Sequence, residues 1–218
     1  MRIKIKICCI ISLHEAQTAI RLGADALGLV GQMPSGPGII GDALAGQIAG
    51  QTPPPVATFL LTSETTADGI IAHHRRVNSS AIQLVDAVPA GTYSIVKAAL
   101  PAVKIVQVIH VTGPESLDEA LPAVDAGADV LLLDSGNPTL AVKELGGTGR
   151  VHNWAISRQI VDQSRVPVFL AGGLNPQNAR AAIEAVQPFG LDICSGVRTN
   201  GQLDEAKLAE FMTTIVRG

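Results

Sequence analysis

The sequence predicts a single-domain α/β protein, a (β/α)8 TIM barrel spanning residues 1–218. Three observations lead there. Eight short apolar segments alternate with eight helical ones, and no composition break marks a linker. The run Asp129-Val130-Leu131-Leu132-Leu133-Asp134-Ser135 reads as a parallel strand buried on both faces and ending in a carboxylate, where such barrels keep their chemistry. A shift of 104 residues lays Ser12-Leu13-His14-Glu15-Ala16 on Ser116-Leu117-Asp118-Glu119-Ala120, and Gly23-Ala24-Asp25-Ala26-Leu27 on Gly127-Ala128-Asp129-Val130-Leu131. That is about half the chain, as expected of two half-barrels of like design, although helix–strand joints favour Gly-Ala-Asp in any case. A doubly wound sheet is the alternative, but it rarely needs eight such regular units.

The elements follow in order. Strand one covers residues 2–10, with Ile3, Ile5, Ile7 and Cys9 on one face and Lys4, Lys6 and Cys8 on the other. In a closed barrel the isoleucines meet the helices, and Lys6 and Cys8 point inward. Ser12 caps the first helix, with Glu15 completing a capping box, and Gly23 ends it. Strand two is Ala24 to Val30. A Gly/Pro-rich loop from Gly31 to Gly41 precedes a helix ending near Gln51, and Pro53-Pro54-Pro55 leads into strand three, Val56 to Leu61. Thr65 to Val77 is helical, and its His73-His74-Arg75-Arg76 is expected to form a solvated basic face rather than a metal pair. Strand four is Ala81 to Leu84, a helix runs near Ala90 to Leu100, and strand five is Val103 to His110. Pro114 to Val124 is the helix before the sixth strand. Gly146-Gly147-Thr148-Gly149 is a loop, and Asn153 caps a helix from Trp154 to Gln163. Strand seven is Val166 to Leu170. After the turn Ala171-Gly172-Gly173, Asn175-Pro176 opens a helix. Strand eight is Leu191 to Cys194, and a last helix runs from about Asp204 to Val216.

Composition narrows the function classes. The chain is 47% hydrophobic but 3% aromatic, so its core is aliphatic, as parallel sheets prefer. A net charge of −3 with no basic stripe or aromatic platform speaks against nucleic acid. No apolar run approaches the length of a membrane span. Met1-Arg2-Ile3-Lys4-Ile5-Lys6-Ile7 alternates charge and isoleucine, a strand and not a signal peptide. Three cysteines, two of them adjacent, make a poor disulfide framework, so a reduced, cytoplasmic protein is expected.

Two glycine-containing turns follow consecutive strands: Gly172-Gly173 after the seventh, Ser195-Gly196 after the eighth. In barrels this pair of loops often holds a phosphate with backbone N–H groups, and glycine allows the close approach. Simple tight turns are the other reading. Cys8 and Asp134 end strands on roughly opposite sides of the same rim, so a thiol base and a carboxylic acid could act on one phosphosugar. Cys8 needs a lowered pKa for that, and Lys6 is the candidate cation. Inert burial is the alternative for Cys8 and the expectation for Cys9 and Cys194. Asp134 could otherwise merely cap a loop. No zinc spacing and no Gly-x-Gly-x-x-Gly is present.

Lys6-Ile7-Cys8, Gln83-Leu84, Leu132-Leu133-Asp134, Gly146-Gly147-Thr148-Gly149 with Trp154, Ala171-Gly172-Gly173-Leu174-Asn175-Pro176-Gln177-Asn178 and Asp192-Ile193-Cys194-Ser195-Gly196-Val197 together resemble the phosphoribosylanthranilate isomerase family, in order over nearly the whole chain. The resemblance implies a (β/α)8 barrel of tryptophan biosynthesis that needs no cofactor. It implies an Amadori rearrangement of an aminoaldose phosphate to an aminoketose phosphate. Cys8 takes the place of the family's general base and Asp134 that of its general acid. Gly172, Gly173, Ser195 and Gly196 fall at the phosphate, and Lys6, Gln83, Gly147, Asp192 and Arg198 in the substrate pocket. The partner is a small phosphorylated sugar, and the protein is expected to be a monomer or homodimer.

The departures are specific. Cys9 stands where the family has glycine, and Val85-Asp86 where it has His-Gly. His152-Asn153 replaces Phe-Asp, and Cys194 and Arg198 replace Ser and Glu. Ungapped alignment puts Pro37 where the family carries an arginine for the anthranilate carboxylate, and residues 31–41 hold no basic residue. The expectation is an isomerase with a different group on C1 of the sugar, with Arg198 or Arg150 as substitute cations. A phosphate-ligand binder without turnover is the second reading, but a binder needs neither Cys8 nor Asp134.

Overall fold

The computed structural model describes residues 2–136 and 152–216. Eight parallel strands close into a barrel in chain order: β1 (Lys4–Ile7), β2 (Ala26–Val30), β3 (Ala57–Thr62), β4 (Ala81–Leu84), β5 (Lys104–His110), β6 (Val130–Asp134), β7 (Val168–Leu170) and β8 (Gly190–Ile193). Around them run α1 (Leu13–Arg21), α2 (Asp42–Gln51), α3 (Ala67–Val77), α4 (Thr92–Ala99), α5 (Ser116–Ala126), α6 (Trp154–Gln163), α7 (Ala179–Val186) and α8 (Glu205–Val216). The barrel closes where β1 pairs β8, with Lys6 opposite Asp192 and Ile7 opposite Ile193.

Strand alternation sorts the side chains into two cores. Ile5, Ile7, Leu29, Leu60, Leu131 and Leu133 face outward and pack with the helices. Ala26, Phe59, Val106, Leu132 and Phe169 fill the barrel interior. Because β6 alternates regularly, the residue two beyond Leu132 also faces inward, and that residue is Asp134. Phe59 and Phe169 meet edge-on with ring centroids 6.0 Å apart.

The two half-barrels share more than sequence. Gly23 (φ +101°) and Gly127 (φ +120°) both take the left-handed conformation that ends a helix. Ala24 N–H bonds the Ala19 carbonyl at 3.0 Å, and Ala128 N–H bonds that of Ala123 at 3.0 Å. The carboxylate of Asp25 accepts the Ile5 N–H at 2.9 Å and that of Asp129 accepts the Ile105 N–H at 2.9 Å. Each aspartate is flanked by lysine, Lys4 in one half and Lys97 with Lys104 in the other. Gly-Ala-Asp is thus the same staple used twice at the bottom of the barrel.

Four sequence expectations change. Strand one stops at Ile7 because Cys9 turns into the left-handed region (φ +63°). That turn brings Cys9 into the interior cluster rather than leaving it among the isoleucines, and Ile10 resumes the outward face. His73 and His74 are buried, and only Arg75 and Arg76 are solvated. His73 Nδ1 meets Thr62 Oγ1 at 2.8 Å and its Nε2 meets Asp42, while His74 Nε2 meets the Ser79 carbonyl. Helix α7 starts at Ala179, because Asn175 Oδ1 accepts the N–H groups of Gln177 and Asn178 and makes a turn of the residues expected to be helical. Between Val197 and Asp204 stands an unpredicted hairpin, β9 (Arg198–Thr199) with β10 (Gln202–Leu203). Its two-residue turn is Asn200-Gly201, both at positive φ.

Candidate active site

The site opens at the carboxyl ends of the strands as a pocket open to solvent on one side. Of the residues expected there, Cys8, Asp134, Gln83 and Asp192 line it, joined by Gly172, Gly173 and Ser195. Lys6 lies beneath, fully buried, with Nζ 2.9 Å from Asp192 Oδ1 and 5.5 Å from the Phe59 ring centroid.

Cys8 and Lys6 point the same way because they are two residues apart on one strand face, and both reach over the bare backbone of Gly28. A Cβ built on Gly28 would stand 2.8 Å from Cys8 Sγ and 3.0 Å from Lys6 Nζ. This glycine inside a strand marks a close approach, a signal present in the sequence and passed over there. The Cys8 thiol is held below its ordinary pKa, first by a hydrogen bond from Cys9 and then by the Lys6 charge; burial and Asp192 oppose them. Burial pulls the Lys6 ammonium down, but Asp192 and the neighbouring thiols outweigh it, so its pKa is raised and the cation persists. The Asp192 carboxyl is pushed up by burial, with Lys6 opposing and Asp134 adding to the rise.

Asp134, at the end of β6, accepts the Ser135 N–H at 2.7 Å. His152, noted from sequence only as a departure, stands nearby. A Cβ on Gly172 would lie 3.0 Å from its Nδ1, while its Nε2 meets Ser157 Oγ at 2.7 Å. Burial lowers the His152 pKa, against the pull of the Asp134 charge, so the ring is kept neutral. Gln83 turns a buried Oε1 without a partner among the described residues, and the pocket is where it can find one.

The two glycine turns meet. Gly172 and Gly173 take positive φ (+83° and +62°), and Asn178 Nδ2 donates to the Gly173 carbonyl at 2.9 Å. After β8 a short 3₁₀ turn, Ser195–Val197, begins at the pocket edge; barrel phosphate sites often use the N-terminus of a short extra helix at this place. Gly196 itself is not in the lining. It presses on the other turn, where a Cβ would fall 2.0 Å from the Leu174 carbonyl oxygen and 2.9 Å from Asn175 Cα.

Arg198 is not in this pocket; it borders a second recess with Cys9, Cys194 and Pro37. Its guanidinium bonds Glu15 Oε2 at 2.8 Å, the Gly201 carbonyl at 2.8 Å and the Cys9 carbonyl. Its guanidinium bonds therefore tie the β9–β10 hairpin to α1 and the loop after β1, outside the main pocket. Gly147 and Arg150 lie outside the described residues. Pro37, with Ser35 and Gly36, forms the pocket wall where the arginine was sought. Cys9 and Cys194, expected to be inert, both line the mouth. Among the described residues no cluster of His, Cys, Asp or Glu could hold a metal ion, and no helix is long and apolar enough to cross a membrane.

The family and sequence comparisons agree on one family. The profile of the N-(5'phosphoribosyl)anthranilate (PRA) isomerase family matches residues 5–214. N-(5'-phosphoribosyl)anthranilate isomerase 2 of Methanosarcina mazei is 35% identical over 96% of this chain and 92% of its own. The enzyme of that name from Halobacterium salinarum is 34% identical over 96% and 94%. The crystal structure of phosphoribosyl anthranilate isomerase from Thermotoga maritima superimposes with a TM-score of 0.83 at 27% identity, covering 99% of this chain and 100% of that one. A further isomerase structure, at 25% identity and TM-score 0.79, holds reduced 1-(o-carboxyphenylamino)-1-deoxyribulose 5-phosphate. With the profile matched over residues 5–214 and relatives above 30% identity, this chain belongs to the N-(5'-phosphoribosyl)anthranilate isomerase family.

Proposed function

We propose that the protein catalyses the Amadori rearrangement of N-(5'-phosphoribosyl)anthranilate to the 1-(o-carboxyphenylamino)-1-deoxyribulose phosphate, in tryptophan biosynthesis. Asp134 gives a proton to the ring oxygen of the sugar, the ring opens, and the nitrogen lone pair forms the C1 Schiff base. The Cys8 thiolate then removes the C2 proton, giving an enolamine that tautomerises to the ketone. Gly172, Gly173 and Ser195 anchor the phosphate, with Gly196 holding their two loops together. Lys6, itself held charged by Asp192, favours the Cys8 thiolate from below, and Gln83 accepts a substrate N–H or O–H. The protein works in the cytoplasm as a monomer or homodimer.

The observation that carries this reading is the pairing, in one pocket, of a carboxyl with a thiol whose pKa is lowered by a neighbouring thiol and a buried lysine. A phosphate binder has no use for an activated thiol. The test is turnover of synthetic phosphoribosylanthranilate in deuterated water, read as deuterium entering C1 of the product as the C2 hydrogen is lost. Cys8→Ala and Asp134→Asn should each lower kcat by roughly 10²–10⁴. Phosphosugar binding without loss of the C2 hydrogen would establish the binder instead.

A further inference from the structure

The Sγ atoms of Cys9 and Cys194 stand 2.8 Å apart, although 185 residues separate them in the chain and both are free thiols. Three features of the backbone create this approach. Cys9 takes φ +63°, which swings its side chain from the helix side into the mouth. Gly38 comes so close that a Cβ there would lie 2.4 Å from Cys9 Cβ, which walls off the opposite direction. Cys194 follows β8 directly, and β8 is hydrogen-bonded to β1, since Cys8 N–H donates to the Ile193 carbonyl at 2.8 Å. Cys9 is buried, and Cys194 is partly exposed. Both line the main pocket and also the recess that Arg198 borders.

From this geometry we infer that Cys9 and Cys194 form a peroxide-reactive dithiol, a modification site whose product is a disulfide bridging the carboxyl ends of β1 and β8 beside Cys8. Bringing the sulfurs from 2.8 Å to the about 2.05 Å of a disulfide takes under about 1 Å of movement. The oxidant is hydrogen peroxide. The accessible Cys194, as thiolate, attacks one peroxide oxygen; the O–O bond breaks, a sulfenic acid forms and the other oxygen leaves as water after taking a proton. Cys9 then attacks the sulfenic sulfur, the S–S bond forms and a second water leaves. Two thiols lose two electrons and two hydrogens, and one hydrogen peroxide gains them.

The bridge has a consequence for rate that rests on the proposed role of Cys8. The Cys9 thiol is the main group that holds the Cys8 thiol below its ordinary pKa, and a Cys9 locked in a disulfide has no hydrogen to give. Oxidation therefore raises the Cys8 pKa and slows the isomerisation, and reduction reverses it.

The test treats the reduced, full-length protein with a few equivalents of hydrogen peroxide, then alkylates and digests it with trypsin. The expected product has lost two hydrogens and links the peptide Ile7–Arg21 to Ala181–Arg198. Because Cys8 and Cys9 share one peptide, variants assign the bond. Cys8→Ser keeps the link, whereas Cys9→Ser and Cys194→Ser lose it, with circular dichroism showing that each is folded and Cys194→Ala standing in should the serine variant not fold. A link that persists in Cys9→Ser, or oxidation that leaves no link at all, overturns the inference. Activity is read separately. In the oxidised protein the acid limb of the kcat/KM profile should move to higher pH, with a lower rate at any fixed pH below it, and dithiothreitol should restore it. A mapped link with unchanged activity leaves the bridge standing and counts against Cys8 as the base.

Discussion

Lys6 Nζ lies 2.9 Å from Asp192 Oδ1 inside the barrel, with the lysine side chain fully sealed from solvent. A buried pair of this kind is poor evidence of stability, since hydrophobic residues of like volume often do as well. Its place directly under Cys8, over the same glycine, gives it a different use. The cation lowers the thiol pKa, and the aspartate keeps the cation charged where burial would discharge it.

Lys6→Met should therefore do two separable things. It should cost about 3–5 kcal/mol, the usual effect of orphaning a buried charge, and it should move the acid limb of kcat/KM to higher pH. Adding Asp192→Leu should recover much of the stability and, because Asp192 raises the Cys8 pKa where Lys6 lowers it, should reverse only part of the pH displacement. Urea melts and pH–rate profiles of the single and double variants check this. A double variant that regains the unmodified profile would show that Lys6 acts through folding alone.

What the sequence disclosed was what depends on local pattern. The inward aim of Asp134 follows from the period of two along β6, and Ser12 caps α1 as its spacing with Glu15 requires, its Oγ accepting the Glu15 N–H. The Gly-Ala-Asp joint recurs because the same staple closes each half. What stayed hidden depends on partners from elsewhere in the fold. His73 is buried because Asp42 and Thr62, from other elements, bond its ring. Cys9 takes a left-handed conformation without being glycine, and the only hint of it was the glycine that the family places at that position. Arg198 is positive and near the rim, yet Glu15 claims it, and from sequence Glu15 was only half of a capping box. The Asn200-Gly201 turn was legible, but an eightfold pattern had no place for a hairpin.

Glu15 supports a prediction about acid stability. Burial raises its pKa, but Arg198 and the N–H groups of Leu203 and Ile11 outweigh that, so the carboxyl titrates below its ordinary 4.5. A depressed acid contributes its stability in full above the unfolded value, and the contribution drains as pH falls below about 4.5 toward the lower folded value. Glu15→Gln should be less stable than the unmodified protein at neutral pH, and the gap should narrow through that acid window. Denaturation midpoints measured across it check the sign; parallel curves would mean that Glu15 titrates alike in both states.

The two glycine turns should respond differently to alanine. Gly173 holds φ +62° in the pocket lining, so Gly173→Ala should raise KM for the phosphorylated substrate more than it lowers kcat, the pattern of lost uniform binding. Gly196 has no room at all against the Leu174 carbonyl. Gly196→Ala must part the loops, and it should lower the thermal midpoint as well as raise KM. Steady-state kinetics with thermal melts on both variants separate the roles, and an unchanged KM in both would remove the phosphate site from these turns.

Pro37 is the remaining departure with a direct consequence. It stands in the pocket wall beside Ser35 and Gly36, on the loop after β2, and no cation from that loop lines the pocket. A charge-assisted Arg–carboxylate contact is among the stronger polar interactions a site can make, and hydrogen bonds to charged groups contribute about 1.5–3 kcal/mol. At about 1.4 kcal/mol per tenfold, that corresponds to roughly 10–100-fold in affinity. Proline supplies neither the charge nor an N–H, and it fixes its own φ in a loop that also carries left-handed Gly36 and Gly38. Pro37→Arg should therefore lower KM for phosphoribosylanthranilate by roughly 10–100-fold while kcat changes little, because a contact to the aromatic acid is the same before and after the sugar rearranges. If the unmodified protein already turns over this substrate near 10⁵ M⁻¹s⁻¹, within the ordinary enzyme range, and Pro37→Arg adds nothing, then the carboxylate is held from another side of the pocket. Arg198→Met then separates the two cations named from sequence: with Arg198 committed to Glu15 and the Cys9 carbonyl, its loss should lower stability and kcat while leaving the KM for the aromatic acid in place.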